Sequence, residues 1–431
     1  MIDSIDPSPR RWSRRALIGG AVTLAAGAAL WAARRPDRGG PHSPYFRQLS
    51  RALAAAGIAH PVLVVDRARL RTNIAAVRAT LAGTRLAVRV VVKSLPAVDL
   101  LAAVAGGLGT DRFMVFNGPM LLETLKWRPD ADLLLGKPLA AMEVARTCEA
   151  AVPLLAGRPG PQWLADSVDR LHQYDAIGRA LGLRLRTALE IDVGLHRGGF
   201  ADPAAIDAAV RIMTASSGLE LTGLMGYDPH VPKMPSPRRA YQAALAAYGV
   251  AVDVLRERLG GSALARLTFN AAGSPTYRMH VDDTLANEVA IGSAFVKPKD
   301  FDLDTLAHHV PAAFIATPLL KVLDPLAIPG LERFGSVFAF LDANAARAFF
   351  IHGGHWLAQP ESPPGLEYST LYGRSSNQEL LTGSLSVPLK PDDYVFLRPT
   401  QSESVLLQFG DLVVYDEGAV RERWPTFPIS A

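Results

Sequence analysis

Cysteine is almost absent: Cys148 is the single one in 431 residues, which excludes an intramolecular disulfide framework and any multi-cysteine metal or iron–sulfur centre. Unbalanced charge is absent beyond the N-terminus. Seven arginines against three aspartates precede residue 41, which accounts for the whole formal charge of +4 and leaves 38 basic and 38 acidic residues behind it. A nucleic-acid footprint needs Lys and Arg gathered on the folded body, so DNA and RNA are not the expected partners. No internal repeat or low-complexity tract stands out beyond alanine-rich helical patterns. Apolar residues are plentiful, 49% against 20% charged, enough for a packed globular core. The length suits a barrel-sized domain with a smaller companion.

The one long hydrophobic run lies at the start. Arg10, Arg11, Arg14 and Arg15 precede a stretch of apolar and small residues from Ala16 to Ala33, and Arg34 and Arg35 close it. Ser13-Arg14-Arg15-Ala16-Leu17-Ile18 resembles the twin-arginine export signal, a receptor-read address for folded proteins. At roughly 18 residues the run reaches the length that spans a bilayer, so a cleaved signal and an uncleaved anchor both stay open. The flanking arginines set an N-in orientation in either case. Residues 1–41 are therefore expected to engage the twin-arginine translocase, to place the body in the periplasm or on the periplasmic face of the inner membrane, and to take no part in the fold.

From His60 to about residue 300, short β-branched runs alternate with longer helical patterns, the grammar of repeated βα units. Leu70, Ile74, Val77 and Leu81 recur at helical spacing, and the next segment, Val88-Arg89-Val90-Val91-Val92, reads as an apolar strand buried on both faces. Further strand candidates are Phe113 to Phe116, Leu133 to Leu135, Gln162 to Leu164, Leu185 to Asp192, Leu221 to Tyr227, Leu267 to Ala271 and Val289 to Ile291. Pro61 to Val65 and Val152 to Leu155 are also strand-like and are set aside. Eight units predict an α/β protein with a (β/α)8 TIM-like barrel over residues 42–310. After Pro311 the pattern changes to short apolar runs between Pro, Gly, Asp and Ser: Ser336 to Leu341, Ala348 to Ile351, Tyr394 to Leu397, Leu406 to Gln408 and Leu412 to Tyr415. This predicts a C-terminal all-β domain over 311–431, with Gln359 to Asn377 as a loop-rich segment.

Four sites carry chemistry. Lys93 directly follows Val92, at a predicted strand's C-terminal end, where barrels keep their active sites. A partly desolvated lysine there is a nucleophilic amine able to form a Schiff base; a lysine snorkelling from a strand end reads the same way. Ala271-Ala272-Gly273-Ser274-Pro275-Thr276-Tyr277 follows the seventh strand candidate. Its small residues let backbone N–H groups approach an oxyanion, with the Ser274 and Thr276 hydroxyls as further donors, although Gly-Ser-Pro is also an ordinary turn. Glu190 to Gly199 runs from a strand into a glycine-rich loop whose Arg197 suits a phenolate or carboxylate, or is a surface arginine. Gly223-Leu224-Met225-Gly226-Tyr227 ends in a tyrosine equally compatible with the core.

In this order and spacing, Lys93 and the motifs Glu190 to Gly199, Gly223 to Tyr227 and Gly273 to Tyr277 resemble the D-threonine aldolase and D-serine dehydratase group of fold-type III pyridoxal-phosphate enzymes, relatives of alanine racemase. Pro61 to Asp66 with Asn73-Ile74, and Glu288-Val289-Ala290-Ile291-Gly292-Ser293, fit the same pattern, and the resemblance runs from about residue 45 onward. It implies a barrel bearing pyridoxal 5'-phosphate, a β domain, a small amino-acid substrate and a homodimer. Lys93 matches the Schiff-base lysine, Arg197 the residue at the cofactor's phenolic oxygen, Tyr227 the one at the pyridine nitrogen, and Gly273, Ser274 and Thr276 the phosphate cradle.

The departure lies near the C-terminus. Metal-binding members carry a His, one intervening residue and then a Cys or Asp, where this chain has Pro399-Thr400-Gln401-Ser402-Glu403. Glu403 keeps one hard oxygen ligand and Gln401 is a poor zinc ligand; His352 and His355 offer imidazoles that read more simply as hydrogen-bonded residues. A divalent metal is therefore expected to be weak or missing, with Glu403 itself facing the substrate hydroxyl as a general acid. The lysine context differs as well, with Ser94 directly after Lys93. The expected activity is a lyase acting on a D-amino acid. Two rivals stay open: a racemase, needing an acid–base partner such as Tyr277, Tyr368 or Tyr372 opposite Lys93, and a silent cofactor-binding protein.

Overall fold

A computed structural model of the chain describes residues 35–327, 330, 341–370, 372–403 and 405–428. Residues 1–34, and all but Leu341 of the strand expected at Ser336 to Leu341, lie outside them; residues 35–41, expected to take no part in the fold, do join it, with the Arg38 N–H donating to Asn344 Oδ1 and Asn344 Nδ2 donating to the Pro36 carbonyl, each at 2.9 Å. Helix α1 (Pro44–Ala55), strand β1 (Val62–Asp66) and helix α2 (Arg67–Leu81) open the fold. Asp66 ends the strand and caps the helix, its carboxylate accepting the Arg69 N–H at 2.9 Å and satisfying one donor of the first turn.

Eight strands follow: β2 (Ala87–Val91), β3 (Arg112–Val115), β4 (Asp132–Leu135), β5 (Trp163–Ala165), β6 (Leu185–Ile191), β7 (Leu219–Gly226), β8 (Thr268–Ala271) and β9 (Glu288–Ile291). Helices α3 (Val98–Leu108), α4 (Gly118–Trp127), α5 (Ala141–Leu155), α6 (Val168–Leu181), α7 (Pro203–Ala215) and α8 (Pro237–Leu259) each connect one strand to the next. The sheet order is β4-β3-β2-β9-β8-β7-β6-β5. Its ladders are parallel, as crossover helices require. Leu135 N–H to Gln162 O (2.9 Å) and Gln162 N–H to Leu133 O (2.8 Å) join β4 to β5, which curls the sheet into a barrel.

All eight expected strands are therefore barrel strands, and the two that were set aside divide. Pro61 to Val65 does form a strand, β1, but outside the barrel, and Val152 to Leu155 is the last turn of α5. There Val144, Thr147, Cys148 and Ala151 are buried at helical spacing, so the β-branched run is outvoted by the period of the segment before it.

The later strands are β10 (Ala313–Leu323), β11 (Arg347–His352), β12 (Ala358–Ser362), β13 (Glu367–Tyr368), β14 (Gln378–Gly383), β15 (Tyr394–Pro399), β16 (Leu412–Asp416) and β17 (Ala419–Trp424). Two expectations need correction. Leu406 to Gln408 is not a strand, because Val405–Leu407 closes a 3-10 turn. The loop-rich segment holds β12 and β13, whose polar and proline-bearing sequences carry no strand signal; β12 pairs with β15 alone, and a sheet edge tolerates proline.

The chain separates into two compact units. One comprises Gln48–Ala316, Trp356–Gln359 and Leu397–Ala431; it contains the barrel and, beside it, β1 paired antiparallel with the start of β10 and parallel with β16, which pairs with β17. The other comprises the chain up to Arg47, Thr317–His355 and Pro360–Phe396. It is an antiparallel sheet in which β11 pairs with β10 and β14, with Leu326, Ala348 and Leu380 in its core. Among the described residues no helix is long and apolar enough to cross a membrane.

β2 departs from its expected apolar character at Arg89. Side chains alternate along a strand, and Val91 lines the cleft at the barrel mouth, so Arg89 points into the interior one layer deeper. It is fully buried, and all five of its N–H donors are used: two on the Glu288 carboxylate, one on the Asp132 carboxylate at 3.0 Å, and two on the carbonyls of Phe113 and Asp132. Glu288 also accepts from Arg112 at 2.8 Å and Asn270 at 2.8 Å, and Asp132 accepts from Gln162 at 2.9 Å. Burial pushes the Glu288 carboxyl upward, but the field of Arg89 and these hydrogen bonds outweigh it and hold its pKa below the ordinary glutamate value.

Removing one partner of a buried pair strands the other charge. Arg89→Met is expected to cost about 3–5 kcal/mol of unfolding free energy, and Arg89→Met with Glu288→Gln to recover part of the loss. Denaturant unfolding checks this; a single variant as stable as the parent would show that the pair is dispensable. Because the folded pKa of Glu288 is depressed, its contribution is present above the ordinary glutamate pKa and is lost as pH falls through the folded value. The gap between parent and variant should close in acid.

Candidate active site

β2 stops at Val91, and Val92–Ser94 makes one 3-10 turn, which delivers Lys93 to the C-terminal mouth of the barrel. Its Nζ lies 3.6 Å from Glu403 Oε1 and 4.6 Å from the centroid of the Phe116 ring, just past the end of β3. Ser94, turned inward and buried, donates to the same Glu403 oxygen at 3.2 Å. The lysine and Glu403 side chains are both about one-third exposed, at 37% and 30%, so solvent screens the pair and its contribution to stability is small.

Two turns form the opposite wall. β8 runs into Ala272, whose φ of +65° is left-handed and turns the chain sharply. At Gly273 a Cβ would lie 2.6 Å from Cε2 of Tyr227, so the backbone packs directly against that ring. Ser274 Oγ accepts the N–H groups of Gly292 and Ala294, each at 3.0 Å, and ties this turn to the one after β9. The N–H groups of Ser274 and Ser293 find no acceptor among the described residues. Thr276 stands behind this wall: its buried hydroxyl donates to Asp228 and accepts the Gly273 N–H at 3.2 Å. Asp228 also meets His280 Nε2 at 3.0 Å. Thr276 braces the loop and does not line the cleft.

The loop after β6 carries Arg197. Asp192 Oδ1 accepts the N–H groups of Gly194 (3.0 Å) and His196 (2.9 Å), and its Oδ2 meets His196 Nδ1 at 2.8 Å. Burial raises the Asp192 carboxyl, but these bonds prevail and hold it low. Gly199, at φ +96°, admits no side chain, since a Cβ would lie 2.9 Å from the Asp192 nitrogen and the Glu190 carbonyl oxygen. This anchored loop sets the Arg197 guanidinium 5.1 Å over the Tyr227 ring. Burial pushes the Tyr227 phenol upward, with Arg197 pulling the other way. Burial and Asp166 likewise raise the Glu190 carboxyl against Arg197.

Lys93, Arg197, Tyr227, Gly273, Ser274 and Glu403 thus converge on one cleft of about 550 Å³, counted to its open mouth. It opens into a wider vestibule bordered by Lys137, Lys233, Asp300 and Gln401. Phe116 was within reach of the sequence, as the last residue of an expected strand. Lys233 and Asp300 were not, because they sit in short turns without periodicity.

The expected metal ligands lie apart in their partners. Gln401 Nε2 donates to Asp300 at 3.4 Å, and Glu403 faces Lys93 and Ser94. Among the described residues no three His, Cys, Asp or Glu side chains form a metal-binding group. His352 and His355 belong to the antiparallel unit. Of the tyrosines considered as a second acid–base group, Tyr277 is buried with its hydroxyl 2.8 Å from both His308 Nε2 and His309 Nε2, and it does not line the cleft. Burial pushes that phenol up to about 12. Tyr368 and Tyr372 lie in the other unit, Tyr368 under the Arg374 guanidinium at 3.9 Å and Tyr372 bonded to the Ala327 carbonyl.

The donor set does suit pyridoxal phosphate. An amine is available for its aldehyde, two buried N–H groups and a side-chain-free backbone at Gly273 are available for its phosphate, and Arg197 and Tyr227 for its ring.

The comparisons agree with this geometry. The alanine racemase N-terminal domain model matches residues 65–299. No curated protein matches the sequence. Among solved structures, D-threonine aldolase from Filomicrobium marinum is similar at TM-score 0.67 and 15% identity, over 85% of this chain and 96% of that one. D-threo-3-hydroxyaspartate dehydratase from Delftia sp. HT23 aligns at TM-score 0.66 and 17% identity, over 85% and 97%. Alanine racemase from Clostridium difficile 630 in complex with cycloserine aligns at 0.63 and 13%, over 86% and 100%. At such identities the structures speak for the fold, whereas the family model spans more than half of the sequence. The chain belongs to the alanine racemase N-terminal domain family, the pyridoxal-phosphate enzyme family that its motifs resemble.

Proposed function

We propose that the protein is a pyridoxal-phosphate-dependent lyase acting on a D-amino acid that carries a β-hydroxyl group, by aldol cleavage or by dehydration. The observation that carries this reading is the Lys93–Glu403 pair, 3.6 Å apart at the barrel mouth and facing a wall built for a phosphate. When bound, the cofactor supplies an aldehyde for covalent attachment and a conjugated ring that draws electrons from the bonds at the α-carbon.

The chain's own residues do the rest. An ammonium is not a nucleophile, so Lys93 must first lose a proton, and Glu403 Oε1 is a carboxylate oxygen placed to receive it. The protonated carboxyl can then act as the general acid toward a departing hydroxyl, while the carboxylate form acts as base in aldol cleavage. In this chain Glu403 takes the place that a metal holds elsewhere in the group. Ser274 and Ser293 would hold the phosphate through backbone N–H groups beside the side-chain-free backbone of Gly273, Arg197 would meet the phenolic oxygen, and Tyr227 would back the ring.

The same proposal includes a homodimer, checked by light scattering, and export by the twin-arginine route, which carries folded and therefore loaded protein. Replacing residues 1–40 should leave the protein in the cytoplasm by fractionation; periplasmic recovery of such a variant would refute the export reading.

Two variants test the chemistry. Lys93→Ala should yield no borohydride-fixed pyridoxyl adduct by peptide mass analysis, where the parent protein yields one on Lys93; an adduct elsewhere or none in the parent defeats the reading. Glu403→Gln should lower turnover of D-threonine or D-serine by about 10²-fold while the cofactor absorption band persists. Unchanged turnover would remove Glu403 from the mechanism.

A further inference from the structure

Glu403 is held from behind by a chain of hydroxyl groups. Ser94 Oγ donates to its Oε1 at 3.2 Å, Ser293 Oγ donates to Ser94 Oγ at 3.2 Å, and Ser402 Oγ lies 3.1 Å from Ser293 Oγ. The three serines are 2%, 3% and 0% exposed, and they come from the turn after β2, the turn after β9 and the segment after β15. Gly292 permits their approach, because a Cβ there would lie 2.7 Å from Val91 Cβ and 2.8 Å from both Cβ and Oγ of Ser94.

The direction of the chain follows from counting protons. A hydroxyl has one proton to donate. Ser94 gives its proton to Glu403 and Ser293 gives its proton to Ser94, so Ser402 is the donor to Ser293. Reversed, the chain would end on a Ser402 proton with no acceptor among the described residues, and a buried donor left unpaired is costly. All three hydroxyls therefore point toward one carboxylate oxygen, the oxygen that faces Lys93 Nζ at 3.6 Å.

We infer that Ser94, Ser293 and Ser402 are positioning residues that lock the Glu403 carboxylate for proton transfer from Lys93. In that transfer one Nζ–H bond breaks, its electron pair stays on Nζ, and an O–H bond forms on Glu403. Ser293 touches neither Lys93 nor Glu403 and acts only through the chain; Ser402 precedes Glu403 in the sequence, and its hydroxyl reaches the carboxylate only by way of Ser293 and Ser94. The inference rests on Lys93 as the residue that carries the cofactor.

The test is the rate at which the full-length protein, freed of cofactor, captures added pyridoxal phosphate, followed by absorbance and by the borohydride-fixed mass of the Lys93 peptide. Ser293→Ala should slow capture about fivefold, and Ser293→Thr, which keeps the hydroxyl, should restore it. In a Glu403→Gln background Ser293→Ala should have no further effect, since coupled residues are not additive. Ser402→Ala gives the same comparison from the far end of the chain if Ser293→Ala does not fold. Capture by these alanine variants at the parental rate, or equal slowing with and without Glu403, overturns the inference alone. A parent protein that captures no pyridoxal phosphate overturns the functional reading and this inference with it.

Discussion

The site depends on a charge pair that never meets solvent. Arg89 and Glu288 lie inside the barrel on neighbouring strands, and their bidentate contact bridges β2 and β9, whose register pairs Ala87 with Glu288 and Arg89 with Ala290. Taking two ions out of water costs several kcal/mol each, so such a pair persists only where its geometry is saturated. Here Arg112, Asn270 and Asp132 complete the saturation and bring β3, β4 and β8 into the same network. The C-terminal ends of β2 and β9 then emerge side by side, and these are the ends that carry Lys93 and Gly292-Ser293.

A second tier of polar contacts translates that scaffold into a site. Ser274 clamps the turns after β8 and β9 together, Thr276 and Asp228 brace the first of them from behind, and Asp192 organises the loop that carries Arg197. Each is a short side chain satisfying backbone N–H groups or a neighbouring carboxylate, so the loops are held without regular structure. Side chains poised at a barrel mouth need such support, because a loop alone would not hold them to the tolerance that chemistry requires. Glu403 is held in the same manner, its carboxylate accepting from the buried Ser94 hydroxyl.

Much of this was legible in the sequence. The barrel strands appeared as β-branched runs at regular intervals, because a strand buried on both faces has to be apolar nearly throughout. Lys93, Arg197, Tyr227, Gly273 and Ser274 could be assigned to one cleft because each follows a strand, and parallel strands bring their C-terminal ends to one face. Arg89 was misjudged as part of an apolar run, since nothing local distinguishes an arginine that snorkels from one that is paired with a glutamate 199 positions away. The family resemblance put Thr276 in the phosphate cradle, yet its hydroxyl is directed to Asp228, a choice made by tertiary contact.

By itself, then, the sequence determined the parallel barrel and the set of groups at its mouth, because period and position along a strand are local properties of the chain. It also determined the family, through motifs that lie within the matched 65–299 span. Only the tertiary structure decided which polar groups are partners. The Arg89–Glu288 pair, the turn of Thr276 away from the cleft, and the meeting of Ser94, Ser293 and Ser402 on Glu403 all join residues far apart in the chain. Their proximity comes from tertiary packing, and no local pattern encodes it.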